Sequence, residues 1–205
     1  MRPLAGGFYA RPVLEVAHAL IGCVVSHGDT AGVIVETEAY HESEPACHAF
    51  VGLARRTRPL FGPPGRAYVY RSYGIHSLLN AVCEPPGVGA AVLIRALEPL
   101  EGLETMSARR GTDDPDQLCS GPGKLAQALG ITIDHDDTDL ARGPVRISAA
   151  ETRWASAPRV VGPRIGITKA VDLPWRVCSL GSRSVSRPWP PEVRRLLVSP
   201  GSRRL

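Results

Sequence analysis

The sequence predicts an α+β domain in which helices surround a curved, mostly antiparallel β-sheet. Three observations predict it. Short apolar segments of period two outnumber the helical stretches. Turn signals separate those segments, so that sequence neighbours should pair as hairpins. The few helical stretches are each bracketed by proline or glycine. With 205 residues, 43% hydrophobic and 21% charged, the chain can bury one core and has the composition of a globular domain. One domain is expected over residues 1–187, followed by a Pro/Arg-rich tail over residues 188–205.

The elements are expected in this order. Met1 to Gly7 reads as loop. Pro12 opens a helix through Leu20 that Gly22 ends. Cys23 to Ser26 is a strand, and the Gly/Asp-rich turn from His27 to Gly32 makes a hairpin with the strand that follows. Ala67 to Ser72 is a strand with Tyr68 and Tyr70 on one face, and Tyr73-Gly74 is a turn tip. His76 to Cys83 returns as an apolar strand holding one polar residue, Asn80. After a turn at Glu84–Gly87, Ala90 to Leu97 is a buried strand interrupted by Arg95. Leu100 to Arg110 is a helix stopped by Gly111, Thr112 to Gln117 a polar loop, and Pro122 opens a helix ended by Gly130. Short strands are expected at Val145–Ser148, Arg164–Thr168 and Arg176–Ser179. A short helix near Val193–Val198 is expected to give way to disorder.

The segment from Val33 to His48, VIVETEAYHESEPACH, carries unusual chemistry. Strict alternation puts Val33, Val35 and Thr37 on one face and Ile34, Glu36 and Glu38 on the other. Two carboxylates on an otherwise apolar strand are costly to bury unless something uses them. Tyr40 keeps to the side of Glu38, and His48 adds a second ring. Two readings stand at this point: an edge strand with solvated glutamates, or a pocket for a flat ring above a charged group. Buried Arg95 needs an anionic partner, and Glu38 is the obvious candidate. Asn80 either satisfies a core backbone group or faces the same pocket.

The stretch from Ala49 to Arg66 lacks periodicity and holds Arg55, Arg56, Arg58 and Arg66. It reads as a phosphate-contacting loop or as a solvated one. The net charge is +4, and of 24 basic residues only Lys124 and Lys169 are lysine. That balance permits a polyanionic partner without requiring one. The turn from Ser120 to Lys124 resembles an anion-binding helix start, although its spacing fails the Walker pattern. Five scattered cysteines without a Cys-x-x-Cys pair, and no secretory apolar region, point to free, mostly buried thiols in a reducing cytoplasm. No apolar run approaches a membrane span. His41, Glu42, Glu44, Cys47 and His48 lie close together but lack metal-ligand spacing, so no metal is expected.

Six ordered segments give a resemblance: ETEAY at 36–40, YVYRSYG at 68–74, LLNAV at 78–82, LIRALEPLEGLETM at 93–106, LCSGPGKLAQALG at 118–130 and PRIGI at 163–167. Together they resemble the alkyladenine DNA glycosylases, the methylpurine glycosylases, from about Pro12 to Gly181. The resemblance implies an enzyme that flips alkylated or deaminated purines out of double-stranded DNA and hydrolyses the N-glycosidic bond. It implies Glu38 as general base, with Arg95 and the backbone carbonyl near Ile165 helping to hold the attacking water. Tyr40, His48 and Tyr70 would sandwich the base, Asn80 would lie beside its edge, and Tyr73 would fill the vacated stack. Arg55, Arg56, Arg58 and Lys124 would meet the DNA backbone. The implied protein is a monomer without cofactor, in the cytoplasm of a bacterium and associated with its nucleoid. A noncatalytic nucleic-acid-binding module is the competing reading, disfavoured by the Glu38–Arg95 pair. A glycosylase-lyase needs a pocket amine, and neither lysine falls in the aromatic motifs.

Overall fold

A computed structural model describes residues 1–149 and 153–198. Its strands are β1 (Arg2–Pro3), β2 (Val24–His27), β3 (Thr30–His41), β4 (Ala67–Ser72), β5 (His76–Val82), β6 (Ala90–Glu101), β7 (Val145–Ala149), β8 (Arg159–Gly162) and β9 (Arg176–Ser179). Its helices are α1 (Gly6–Tyr9), α2 (Val13–Leu20), α3 (Leu103–Arg110), α4 (Pro115–Leu118), α5 (Pro122–Leu129) and α6 (Pro191–Val198). The strands form one antiparallel sheet in the order β1-β7-β2-β3-β6-β5-β4, with β9 joining β3 to β8. The α+β architecture with an antiparallel sheet is the one the sequence predicts.

The sheet turns on β3. On one edge β6 runs along nearly its whole length; on the other, β2 takes its first half and β9 its second. The β2–β3 connection is a two-residue turn, Gly28-Asp29, closed by the His27–Thr30 pair; Gly28 has φ +59°. Helices α2 and α5 lay Val16, Ala17, Leu20, Leu125 and Leu129 on the sheet face that carries Ile34, Ile94 and Leu97. The opposite face packs Val33, Val35 and Ala96 against Trp154, Cys178, Val185 and Val193 of the C-terminal segment. All five cysteines are free and buried.

Strict alternation fails along β3. Ile34 pairs with Leu97 and Glu36 with Ala96, so Val35 and Glu36 together oppose one residue. Across from them Arg95 is the extra residue between Ala96 and Ile94. Such bulges let two consecutive side chains share a face. Val33, Val35, Glu36, Glu38 and Tyr40 therefore lie on one side. Ile34, Thr37 and Ala39 lie on the other, where the Thr37 hydroxyl donates to the Ala17 carbonyl at 2.9 Å. The carboxylates still share a face with Tyr40 and oppose Thr37, but Val33 and Val35 have joined their side and Ile34 has left it.

Other departures are local. The N-terminus is not all loop: Arg2 and Pro3 pair with β7, and α1 begins at Gly6. The polar stretch before Pro122 contains α4, capped where the Asp114 carboxylate accepts from the Asp116 N–H at 3.0 Å. β6 runs on to Glu101, and α3 starts only at Leu103 after Gly102 at φ +72°. Arg164–Thr168 is not a strand; β8 ends at Gly162. Pro163 has no N–H, and the Ile165 N–H is given to a side chain rather than a ladder. The expected helix in the tail is α6, and the expected disorder beyond it lies outside the described residues.

Candidate active site

The β3 bulge and the Arg95 bulge bring three charged groups together in the dry interior. Glu36 and Glu38 are each 0% exposed, and Arg95 is buried between them. Arg95 Nη1 donates to Glu38 Oε2 at 3.3 Å, and its Nε lies 3.3 Å from Glu36 Oε1 and 3.0 Å from the Ser186 hydroxyl. Glu36 is further held by Arg176 Nε at 2.6 Å, the Ser186 N–H at 2.7 Å and the Ser186 hydroxyl at 2.9 Å. It is therefore a structural carboxylate, consumed by a C-terminal network that fixes Arg95 from behind.

Glu38 faces forward. Its Oε1 accepts from the Ile165 amide N–H at 2.8 Å, and its Oε2 accepts from the Tyr40 hydroxyl at 2.9 Å as well as from Arg95. An ionised carboxylate offers about four acceptor positions. Three are filled by protein donors, and one acceptor position on Oε1 is left over. Burial pushes the Glu38 carboxyl above the usual carboxylate range, opposed by Arg95, the Ile165 N–H and the Tyr40 hydroxyl. A carboxylate so placed is poised to take a proton. The loop at Ile165 thus reaches Glu38 through its amide N–H.

A cavity of about 690 Å³ opens beside Arg95, which lines it; Glu38 lies behind Arg95, Tyr40 and Ile165, and neither it nor Asn80 is part of the wall. Tyr40, His48, Arg56, Tyr70, Tyr73, Arg95 and Ile165 all line the cavity, so one space gathers most of the residues singled out in the sequence. His48 and Tyr70 meet edge-to-face, ring centres 4.6 Å apart at 74°, and Tyr68 lies 5.4 Å beyond Tyr70. The His48 Nδ1 and the Tyr68 hydroxyl are hydrogen-bonded at 3.0 Å. Burial, with the Arg56 guanidinium beside it, lowers the His48 pKa, which keeps the ring neutral. Asn80 sits behind these rings against a small void of about 30 Å³ that Tyr40, His48, Tyr68 and Tyr70 also line. Its amide donates to the Tyr68 carbonyl at 2.9 Å. Tyr73 stands at the β4–β5 hairpin tip with φ +51°, pointing into solvent.

These positions fit the resemblance read from the sequence, and comparison decides it. The family model of methylpurine-DNA glycosylase matches residues 7–183. The chain belongs to this family. It is similar to several relatives named "Putative 3-methyladenine DNA glycosylase" over nearly their whole lengths. One from Rhodopseudomonas palustris is 55% identical over 184 residues, covering 89% of this chain and 87% of its own. One from Methanoculleus marisnigri is 51% identical, covering 90% and 98%. One from Agrobacterium fabrum is 50% identical, covering 91% and 94%.

Some glycosylase-family expectations meet the structure unevenly. Arg55, Arg56 and Arg58 are exposed on the loop beside the cavity, but Arg66 pairs with Asp137 through Nε–Oδ1 at 3.0 Å and with the Asp137 carbonyl. Lys124 does not line the cavity; its ammonium donates to Gln117 at 2.8 Å and Ser120 at 3.2 Å. Lys169 does line it, although its motif lies apart from the aromatic ones. The sequence pattern also assigned no role to Arg164 and Glu44. Arg164 forks onto Glu44 at 2.6 and 2.9 Å and donates to the Ala39 carbonyl at 2.9 Å. Its guanidinium lies 4.6 Å from the Tyr40 ring centre and 5.3 Å from that of Trp175. The pair pins the loop that carries Ile165 and braces Tyr40 from beneath. Its only sequence signal is an arginine between Pro163 and Gly166 in the PRIGI segment. Among the described residues no three His, Cys, Asp or Glu side chains gather as a metal site. Nor is any described helix long and apolar enough to cross a membrane.

Proposed function

We propose that the protein is a monofunctional DNA glycosylase that extrudes an alkylated or deaminated purine from the duplex and hydrolyses its N-glycosidic bond with a Glu38-activated water. The observation that carries this reading is Glu38 itself: a buried carboxylate with a raised pKa, held by three donors, Tyr40, Arg95 and Ile165, that all line the aromatic cavity. Tyr40 and Tyr70 offer π faces to a flat base, and an N-alkylated purine is cationic, which favours stacking between electron-rich rings. The leaving base already carries its charge, so the protein supplies position and a dry electrostatic setting. Glu38 takes the proton of the water that attacks C1′, and its negative charge offsets the cation developing on the sugar. Arg95 steadies the carboxylate and faces the cavity, where a phosphate of the extruded nucleotide can reach it. Asn80 fills the space beside the base edge, where the amino group of a normal guanine would clash.

Tyr73 enters the vacated position in the stack, while Arg55, Arg56 and Arg58 hold phosphates. A lyase step would require a desolvated amine, and Lys169 is exposed. Its place on the cavity wall makes the distinction worth measuring. The test is release of free base from duplexes carrying single lesions, without added metal, followed by borohydride trapping. The reading expects base release and no covalent protein–DNA adduct; an adduct that disappears in Lys169→Ala would establish the lyase reading instead.

A further inference from the structure

Four large hydrophobic side chains are the most exposed among the described residues: Tyr73 at 90%, Val51 at 80%, Ile75 at 75% and Leu53 at 70%. Single exposed apolar residues are ordinary on any surface. These four are not scattered. Tyr73 and Ile75 form the β4–β5 hairpin tip, and Val51 and Leu53 form a turn between His48 and Arg56. His48 and Arg56 line the same cavity as Arg71, Ser72 and Tyr73. Two apolar tips thus rise from two different loops on the rim of one pocket.

The second turn is built to hold its side chains outward. His48–Val51 is a 3-10 turn, closed by the Gly52 N–H donating to the Ala49 carbonyl at 2.8 Å, with Gly52 at φ +83°. The Thr57 hydroxyl donates to the Gly52 carbonyl at 2.9 Å and accepts from the Ala54 N–H at 2.8 Å. Ala49 and Leu60 anchor the base of the turn in the cluster beneath Tyr68. Exposed cations flank it at Arg55, Arg56 and Arg58. A protein partner prefers an interface centre depleted of charge. Apolar tips interleaved with arginine around an aromatic-lined cavity match stacked bases between phosphates instead.

We propose that Val51 and Leu53 are a second apolar wedge, which presses into the base stack on the other flank of the extruded nucleotide from Tyr73. The proposal rests on the glycosylase reading and deepens it. Two wedges share the unstacking, and the pocket mouth lies between them.

The test is Val51→Ser/Leu53→Ser, a change confined to exposed side chains, checked by an unchanged melting temperature. Single-turnover base release is compared on a lesion in duplex and on the same lesion in single-stranded DNA. A 2-aminopurine beside the lesion reports unstacking on binding. The duplex rate should fall roughly tenfold and the 2-aminopurine signal should shrink, because duplex unstacking is what a wedge supports. The single-strand rate should stay within about twofold, and the salt dependence of binding should keep its slope, since every phosphate-binding arginine is retained. A variant with wild-type duplex rate and signal, or one whose rate falls equally on both substrates, would overturn the second wedge. Wild-type protein that releases no base from any lesion would sink the glycosylase reading itself, a separate outcome.

Discussion

The amide of Ile165 donates to Glu38 Oε1 at 2.8 Å across 127 residues of sequence. This bond ties the loop after β8 to the strand that carries the carboxylate. It also removes Ile165 from any strand ladder. The consequence is a Glu38 held at both oxygens yet raised in pKa by burial.

A pH dependence follows. If Glu38 is the base, single-turnover base release should rise with pH through a midpoint above the usual carboxylate value of 4.5. The stability effect has the opposite sense. The folded state holds the Glu38 proton more tightly than the unfolded chain, so its contribution is fully present below the unfolded pKa. It is lost as pH rises through the folded one. Glu38→Gln should therefore melt higher than wild type at pH 7, with the gap closing as pH approaches 4.5. A gap that widens toward acid would refute the burial argument.

The buried Arg164–Glu44 pair gives a stability prediction. Arg164→Met should cost about 3–5 kcal/mol in urea denaturation, because it strands a buried carboxylate. Arg164→Met/Glu44→Met should recover much of that loss. It should not recover base release, since Tyr40 and Ile165 lose their brace. Equal stability of the single and double variants would show that the charges are not coupled.

The arginines divide by geometry. Arg55→Ala/Arg58→Ala should flatten the log–log salt dependence of DNA binding by roughly 0.9 for each phosphate no longer neutralised. Arg66→Ala should keep the slope and lower stability, because Arg66 is spent on Asp137. A slope unchanged by the first pair would turn this loop away from DNA.

The α+β class, the central hairpins and the Glu38–Arg95 pair were legible in the sequence because period-two patterning and a lone buried arginine are local signals. The faces of β3 were not, because a bulge at Val35/Glu36 answers to β6 rather than to the residues of β3. What uses Glu36 was not legible either, because Arg176 and Ser186, which hold it, lie 140 and 150 residues away. Arg164 and Glu44 were opaque, since each looks like a surface residue until the fold joins them. Lys169 reached the cavity wall through a loop that the pattern Arg164–Thr168 misread as a strand.

The most direct measurement is the single-turnover rate of Glu38→Gln on a duplex carrying one alkylated adenine, alongside its affinity for that duplex. A general base contributes roughly 10²–10⁴-fold, and the charge that offsets the sugar cation adds to it. The account predicts a loss of at least about a hundredfold in rate with duplex binding retained. A Glu38→Gln variant that releases the base at near the wild-type rate would contradict it.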